Sequence, residues 1–272
     1  MKAITLLYHD MISPNNPEAS GFGGADAAIY KLEVETFRQH LNAIRHVVPD
    51  CRTALEYQED RHCPTWLTFD DGGVSAHQYT ADMLEALGWR GHFFVTTNWI
   101  AKPGFLSPAQ IRDLHRRGHV IGSHSCSHPE RMSHCPPEQI RIEWQNSAAV
   151  LSEIIGEPVC VASVPGGYYR RNVAQGAAAA GIRILFTSEP RTSSFVVNEC
   201  LVLGRYTIQA GVTPSTAAAI ASGSIPPRYR QFAYWNLKKA AKIVGGEGWL
   251  RMRKWILANK HSDLEGSRGA TP

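Results

Sequence analysis

The chain has no run of about 18 apolar residues, so no segment is apolar enough to cross a bilayer as a helix. Its first ten residues, Met1 to Asp10, hold too few successive apolar side chains for the core of a secretory leader. Six cysteines (Cys51, Cys63, Cys126, Cys135, Cys160 and Cys200) form no CxxC pair and no dense framework. Reduced thiols in a cytoplasmic compartment are the simplest reading of both features. An excess of one charge is also lacking, since 28 Lys and Arg against 24 Asp and Glu leave +4. That small excess is uneven: residues 226–272 sum to +7, and residues 1–225 to −3. A slightly acidic main body excludes the basic groove of a nucleic-acid enzyme.

What is present is a chain of 272 residues, 43% hydrophobic and 19% charged, which can build a sizeable core. Short, nearly continuous apolar runs read as buried parallel strands: Ala3–Tyr8, Thr65–Phe69, His92–Thr97, His119–Ser123, Val159–Val164, Ile182–Thr187 and Leu201–Gly204. Helical spacing lies between them, over Glu35–Val47, Ser75–Leu87, Ser107–Arg117, Pro137–Ile155 and Asn172–Ala180. Ser107-Pro108 is a helix start, and Gly118, Gly156 and Gly181 are stops. About seven strand–helix units without an internal repeat predict one α/β barrel over 1–225, with an open doubly wound sheet as the alternative. In such a barrel, active residues collect at the C-terminal ends of the strands.

Acids and histidines gather at those ends. Thr68-Phe69-Asp70-Asp71-Gly72 leaves a strand with two adjacent carboxylates, which repel unless a cation takes one of them. The bland alternative is an Asp-Asp-Gly turn starting the next helix. His124-Ser125-Cys126-Ser127-His128 follows the fourth strand, and Pro129 keeps it on a loop. Two imidazoles and a carboxylate form the open ligand set of a catalytic metal site, against the alternative of ordinary loop histidines.

The two motifs resemble the first two of the polysaccharide deacetylases, the NodB-homology carbohydrate esterases. Gly91-His92-Phe93-Phe94-Val95, Gly118 to His124 and Pro165-Gly166-Gly167-Tyr168 match as well, so the resemblance covers roughly residues 1–225. It implies a distorted (β/α)7-type barrel and removal of an N-acetyl group from an amino sugar. It also implies one divalent cation, with Zn2+ expected ahead of Co2+, Ni2+ or Mn2+. By position, Asp71, His124 and His128 would hold the metal and Asp70 would be the general base. Backbone N–H groups around Pro165, Gly166, Gly167 and Tyr168 would receive the oxyanion.

Two departures from the family pattern stand out. Ser163 takes the place of an arginine that usually tunes the base, with Arg170 or Arg171 as substitutes that could lean back. Leu201 to Tyr206 lacks the histidine that usually donates the proton. His9, at the end of the first strand, is its expected replacement, because first and last strands are neighbours in a closed barrel. The Tyr8-His9 pair resembles the rearranged order of exopolysaccharide deacetylases. Asp10 is expected to position His9 or the metal site, Ser13–Gly24 to form a lid, and Trp99 or Tyr168 to stack on sugar. His134 reads as a solvated position, with flanking of the sugar site as the alternative.

Residues 226–272 read as an appendage. Arg228–Val244 and Trp249–Lys260 are amphipathic and basic, which suits either the barrel's outer wall or an anionic membrane surface; residues 262–272 are expected to be disordered. The resulting expectation is a cytoplasmic enzyme, located at the inner face of the membrane if 228–260 binds lipid. Its substrate would be an N-acetylated glycan or a lipid-linked sugar. Hydrolysis of an N-formyl or cyclic amide, or sugar or metal binding without turnover, are the rival readings.

Overall fold

The computed structural model describes residues 1–57 and 63–237. The strands are β1 (Ile4–Tyr8), β2 (Met11–Ile12), β3 (Leu32–Glu33), β4 (Thr65–Phe69), β5 (His92–Val95), β6 (Val120–Ser123), β7 (Val161–Ser163), β8 (Ile184–Phe186), β9 (Phe195–Val197), β10 (Cys200–Leu203) and β11 (Tyr206–Thr207). The helices are α1 (Ala25–Ala28), α2 (Val34–Arg45), α3 (Ala81–Glu85), α4 (Pro108–Arg116), α5 (Pro137–Ile155), α6 (Arg171–Ala179) and α7 (Pro214–Ala221). Nine strands form one sheet in the order β11-β1-β4-β5-β6-β7-β8-β10-β9, and β2 pairs separately with β3. All its ladders are parallel except β10–β9.

Only Gly204 and Arg205 separate β10 from β11, yet these two strands lie on opposite flanks of the sheet. A two-residue link can join them only if the sheet curls round on itself. The curl is the expected distorted barrel, with seven parallel strands from β1 to β10, and it excludes the open sheet. First and last strands meet as expected, with Leu6 opposite Tyr206.

Alternation along the strands divides core from site. On β4, Leu67 and Phe69 face the helical layer with Leu6, Tyr8 and Phe93. Trp66 faces inward, where it joins Phe94, Phe186 and Leu203 as a floor inside the barrel. Thr68 and Asp70 follow at the same parity and come to lie above that floor. Outside, α2 packs on α7 and α5 on α6, and the Trp144 indole N–H donates to the Val173 carbonyl at 3.2 Å.

The predicted strands and helices are present, with ends shifted by one or two residues. Ser107 and Gln110 close a reciprocal capping box at the start of α4, and Gly156 ends α5 at φ 80°. The segment expected as one helix over Ser75–Leu87 splits into a π-turn, 76–80, and α3. Residues 225–237 are helical. The remainder of the two expected basic helices, and the end 262–272, lie outside the described residues.

Candidate metal and catalytic site

The strand ends bring His9, Asp70, Asp71, His124 and His128 into one cavity with Gly166, Gly167 and Tyr168. Pro165 is buried just beneath, opening a short 3-10 turn over Pro165–Gly167. Gly166 has φ 64°, and a Cβ there would stand 2.4 Å from the Glu130 carbonyl oxygen, so glycine is required. Asp70 keeps the inward parity of β4. Asp71 should face away from it, but its φ of 77° turns the chain so that both carboxylates enter the site. Ser125 and His128 are likewise held at positive φ, 65° and 57°. Non-glycine residues at positive φ persist where surrounding bonds fix them.

Between Ser125 and His128 the loop is fixed by Glu143, a buried carboxylate on α5. It accepts from the backbone N–H of Cys126 at 2.8 Å and of Ser127 at 2.9 Å, and from the Ser127 hydroxyl at 2.5 Å. The loop that carries His128 is thereby tied to a rigid helix. Sequence reasoning missed Glu143, which looks like an ordinary polar position of an amphipathic helix.

Asp71 Oδ1 lies 3.4 Å from His124 Nε2 and 3.6 Å from His128 Nε2. The ligand atoms of the three residues lie within 4.8 Å of one another, and no other such group occurs among the described residues. Four-coordinate zinc, with bonds of about 2.0–2.1 Å, keeps its ligands roughly 3.4 Å apart, so this set fits a divalent cation. The Nδ1 edge of His124 faces the Ser163 carbonyl oxygen at 3.0 Å and its hydroxyl at 2.6 Å, leaving Nε2 to face the site. Burial would raise the Asp71 carboxyl, but the hydrogen bond from His124 and the charges of His9 and His128 hold it below the ordinary range.

Asp70 is gripped by Arg205. The guanidinium donates to both carboxylate oxygens, at 2.7 and 2.8 Å, and also to Thr68 Oγ1 and the Thr187 carbonyl. Burial pushes the Asp70 carboxyl up, but Arg205 and His124 outweigh it and keep it ionised. Ser163 adds a hydroxyl donor at 3.1 Å. An arginine two residues past β10 thus holds Asp70 in the absence of one at Ser163, whereas Arg170 and Arg171 line the outer cavity. Its position in Leu201 to Tyr206 was readable in the sequence; its direction was not, because it depends on the closure of the barrel.

His9 lies in the cavity with its ring against Tyr30, tilted by 36° at a 4.6 Å centroid separation. Its Nδ1 is buried with no hydrogen-bond partner among the described residues. Burial lowers its pKa, and Asp71 and Asp70 offset this only in part. Asp10 turns away from the site. It accepts from Ser20 at 2.6 Å and Ser75 at 2.7 Å, which ties the 13–24 loop to the barrel as one wall of the cavity. Phe22 from this wall packs on His128, and Trp99 packs on Phe22 and Phe105 beyond the cavity lining. Tyr168 and His134 do line the cavity.

Residues 58–185 match the family model described as polysaccharide deacetylase. Among curated proteins, the chain is 25% identical over 193 residues to YxkH of Bacillus subtilis (strain 168), named as a polysaccharide deacetylase, covering 70% of this chain and 65% of that protein. It is 29% identical over 125 residues to a gellan lyase of Bacillus sp., covering 46% of this chain and 5% of that much longer protein. The chain therefore spans less than two thirds of either relative. In fold it is similar to the Streptococcus pyogenes deacetylase PplD solved with acetate, with a TM-score of 0.66 at 18% identity, covering 81% of this chain and 98% of that one. Residues 58–185 thus match the polysaccharide deacetylase model, and the curled parallel sheet that carries the paired aspartates and the two histidines has the fold of the solved deacetylase.

Proposed function

We propose that the protein is a metal-dependent carbohydrate deacetylase. Its reaction is removal of the N-acetyl group from an amino sugar of a bacterial surface polysaccharide or its lipid-linked precursor, with release of acetate. The observation that carries this reading is an ionised carboxylate, Asp70, locked in a bidentate grip beside the ligand set Asp71, His124 and His128.

Asp71, His124 and His128 would hold a divalent cation, with zinc the first candidate ahead of Co2+, Ni2+ or Mn2+, and it would supply activation of water and polarisation of the acetyl carbonyl. Asp70 takes the proton of the attacking water, and Arg205 holds its two oxygens in a fixed plane while that happens. Backbone N–H groups of the 165–168 turn donate to the oxyanion. His9 returns a proton to the amine as the C–N bond breaks. Its place in the lining of the same cavity as Asp70 and Asp71 supports this role.

Association of 228–260 with an anionic lipid surface at the inner face of the membrane is supported by two features. Residues 226–246 carry five cations and no anion. Ile225, Tyr229, Phe232 and Leu237 are exposed along one helix.

The test compares Asp70→Asn and His9→Ala with the parent in acetate release from N-acetylated oligosaccharides, alongside bound zinc. Turnover is expected to fall by at least 100-fold for Asp70→Asn, and to fall for His9→Ala, with metal content unchanged in both. Full turnover in Asp70→Asn would overturn the proposal.

A further inference from the structure

The cavity over the paired aspartates has a volume of about 2020 Å³, twice the upper end of the roughly 300–1,000 Å³ that accommodates a single small molecule. It extends well past one sugar ring. Part of its wall comes from a segment beyond the family match, the helix at 225–237. Gln231 Nε2 donates to the Thr207 carbonyl at 2.9 Å and ties this helix to β11. Trp235 lies against Gly167 on the 165–168 turn, with 3.4 Å between its ring and a Cβ built there. Pro227, Arg230, Gln231, Tyr234 and Trp235 line the cavity at helical spacing, so one face of the helix belongs to the cleft.

Arg230 shares this cavity with Arg170 and Arg171. Among the described residues, none of these three side chains makes a hydrogen bond or an ion pair. Outside the catalytic pair, the acids lining the cavity are Asp26 and Glu189, and Glu189 is already paired with Arg191 at 3.6 Å. Nor do Arg170 and Arg171 serve the fold, because cations are unfavourable at the start of a helix such as α6. Three guanidiniums without such bonds, lining one cavity with Tyr168, Tyr234 and Trp235, are chemically matched to a sugar chain that carries anions.

We propose that this outer cleft is an anion-recognising subsite, built by Arg170, Arg171 and Arg230 with Trp235 as its aromatic wall. It selects amino-sugar chains that bear a carboxylate or a phosphate next to the acetylated unit. The proposal rests on the deacetylase reading and adds the substrate class to it.

The experiment uses the full chain and three oligomers of equal length: neutral N-acetylglucosamine, N-acetylglucosamine alternating with a uronic acid, and N-acetylglucosamine units joined through phosphodiesters. kcat/KM is expected to be at least tenfold higher for one or both anionic oligomers than for the neutral one. The comparison between the two tells carboxylate from phosphate as the recognised group. In Arg170→Gln/Arg230→Gln that preference is expected to collapse, by roughly tenfold per lost guanidinium, mainly through KM. Trp235→Ala is expected to raise KM for all three. Equal kcat/KM for the neutral and anionic oligomers in the parent would overturn the subsite, and so would a preference that survives the double substitution. If no oligomer releases acetate, the deacetylase reading fails, and calorimetric Kd values of the same oligomers then decide the subsite on their own by the same preference.

Discussion

Arg205 reaches Asp70 from the last strand of the barrel, and His9 enters the cavity from the first. Arg205 gives Asp70 its guanidinium partner, and His9 is the proposed proton donor. Arg205 is fully buried and every donor it uses is satisfied, so it stands at the top of the barrel floor as a fixed support for the base. Arg205→Ala leaves the Asp70 charge buried without its partner. It is expected to cost about 3–5 kcal/mol of stability, read by denaturant unfolding. Arg205→Lys keeps the charge but loses the two-pronged geometry, and kcat for acetate release should fall on the order of 10–100-fold. Glu143 supports the other half of the site. Glu143→Ala removes the acceptor for two backbone N–H groups and a hydroxyl in the His128 loop, and zinc affinity measured by calorimetry is expected to fall roughly 10–100-fold. The gathering of Asp70, Asp71, His124 and His128 was legible in the sequence because adjacent aspartates and spaced histidines at strand ends have few other uses. Arg205 and Glu143 were not, since each acts across more than a hundred residues or from a neighbouring helix face, and local spacing carries no trace of that.

At the scale of elements, the loop 13–24 and the barrel are joined through one buried carboxyl. Burial, and behind it the Asp71 charge, lifts Asp10 from 3.8 to about 6 against the pull of its serine hydrogen bonds and Lys31. An acid whose folded pKa lies above its unfolded value stabilises the fold while protonated. That contribution is complete below about pH 4 and is lost as pH rises through about 6. Between those limits it is worth on the order of 3 kcal/mol. Asparagine keeps an acceptor for both serines and cannot ionise. The gain in stability of Asp10→Asn over the parent is therefore expected to grow from pH 4 to pH 7, read by urea unfolding; a gain independent of pH would show Asp10 to titrate normally. Asp10 also shows where reading by proximity fails. It follows His9 directly, but β1 ends there and the next side chain points to the opposite face. Strands and helices were read more readily, because continuous apolar runs and glycine stops are local signals. The short β2, β3, β9 and β11 were missed, since two or three residues hold no period, and their pairing depends on the curl of the sheet.

For the whole molecule, the uneven charge separates chemistry from surroundings. The slightly acidic part, 1–225, carries the aspartates and histidines, and needs no basic groove for its reaction. The basic part begins with a helix that does two things: its inner face lines the cleft through Trp235 and Arg230, and its outer face exposes Ile225, Tyr229, Phe232 and Leu237. The proposed lipid contact and the proposed anion subsite therefore meet in one element. The central claim is that this centre hydrolyses an acetamide with a divalent cation held by Asp71, His124 and His128. It is tested most directly by acetate release from N-acetylated oligosaccharides with the full chain, first stripped by a chelator and then reloaded with one equivalent of zinc. The account predicts turnover lost on stripping and restored on reloading, with no restoration in His124→Ala; undiminished turnover in the stripped protein would contradict it.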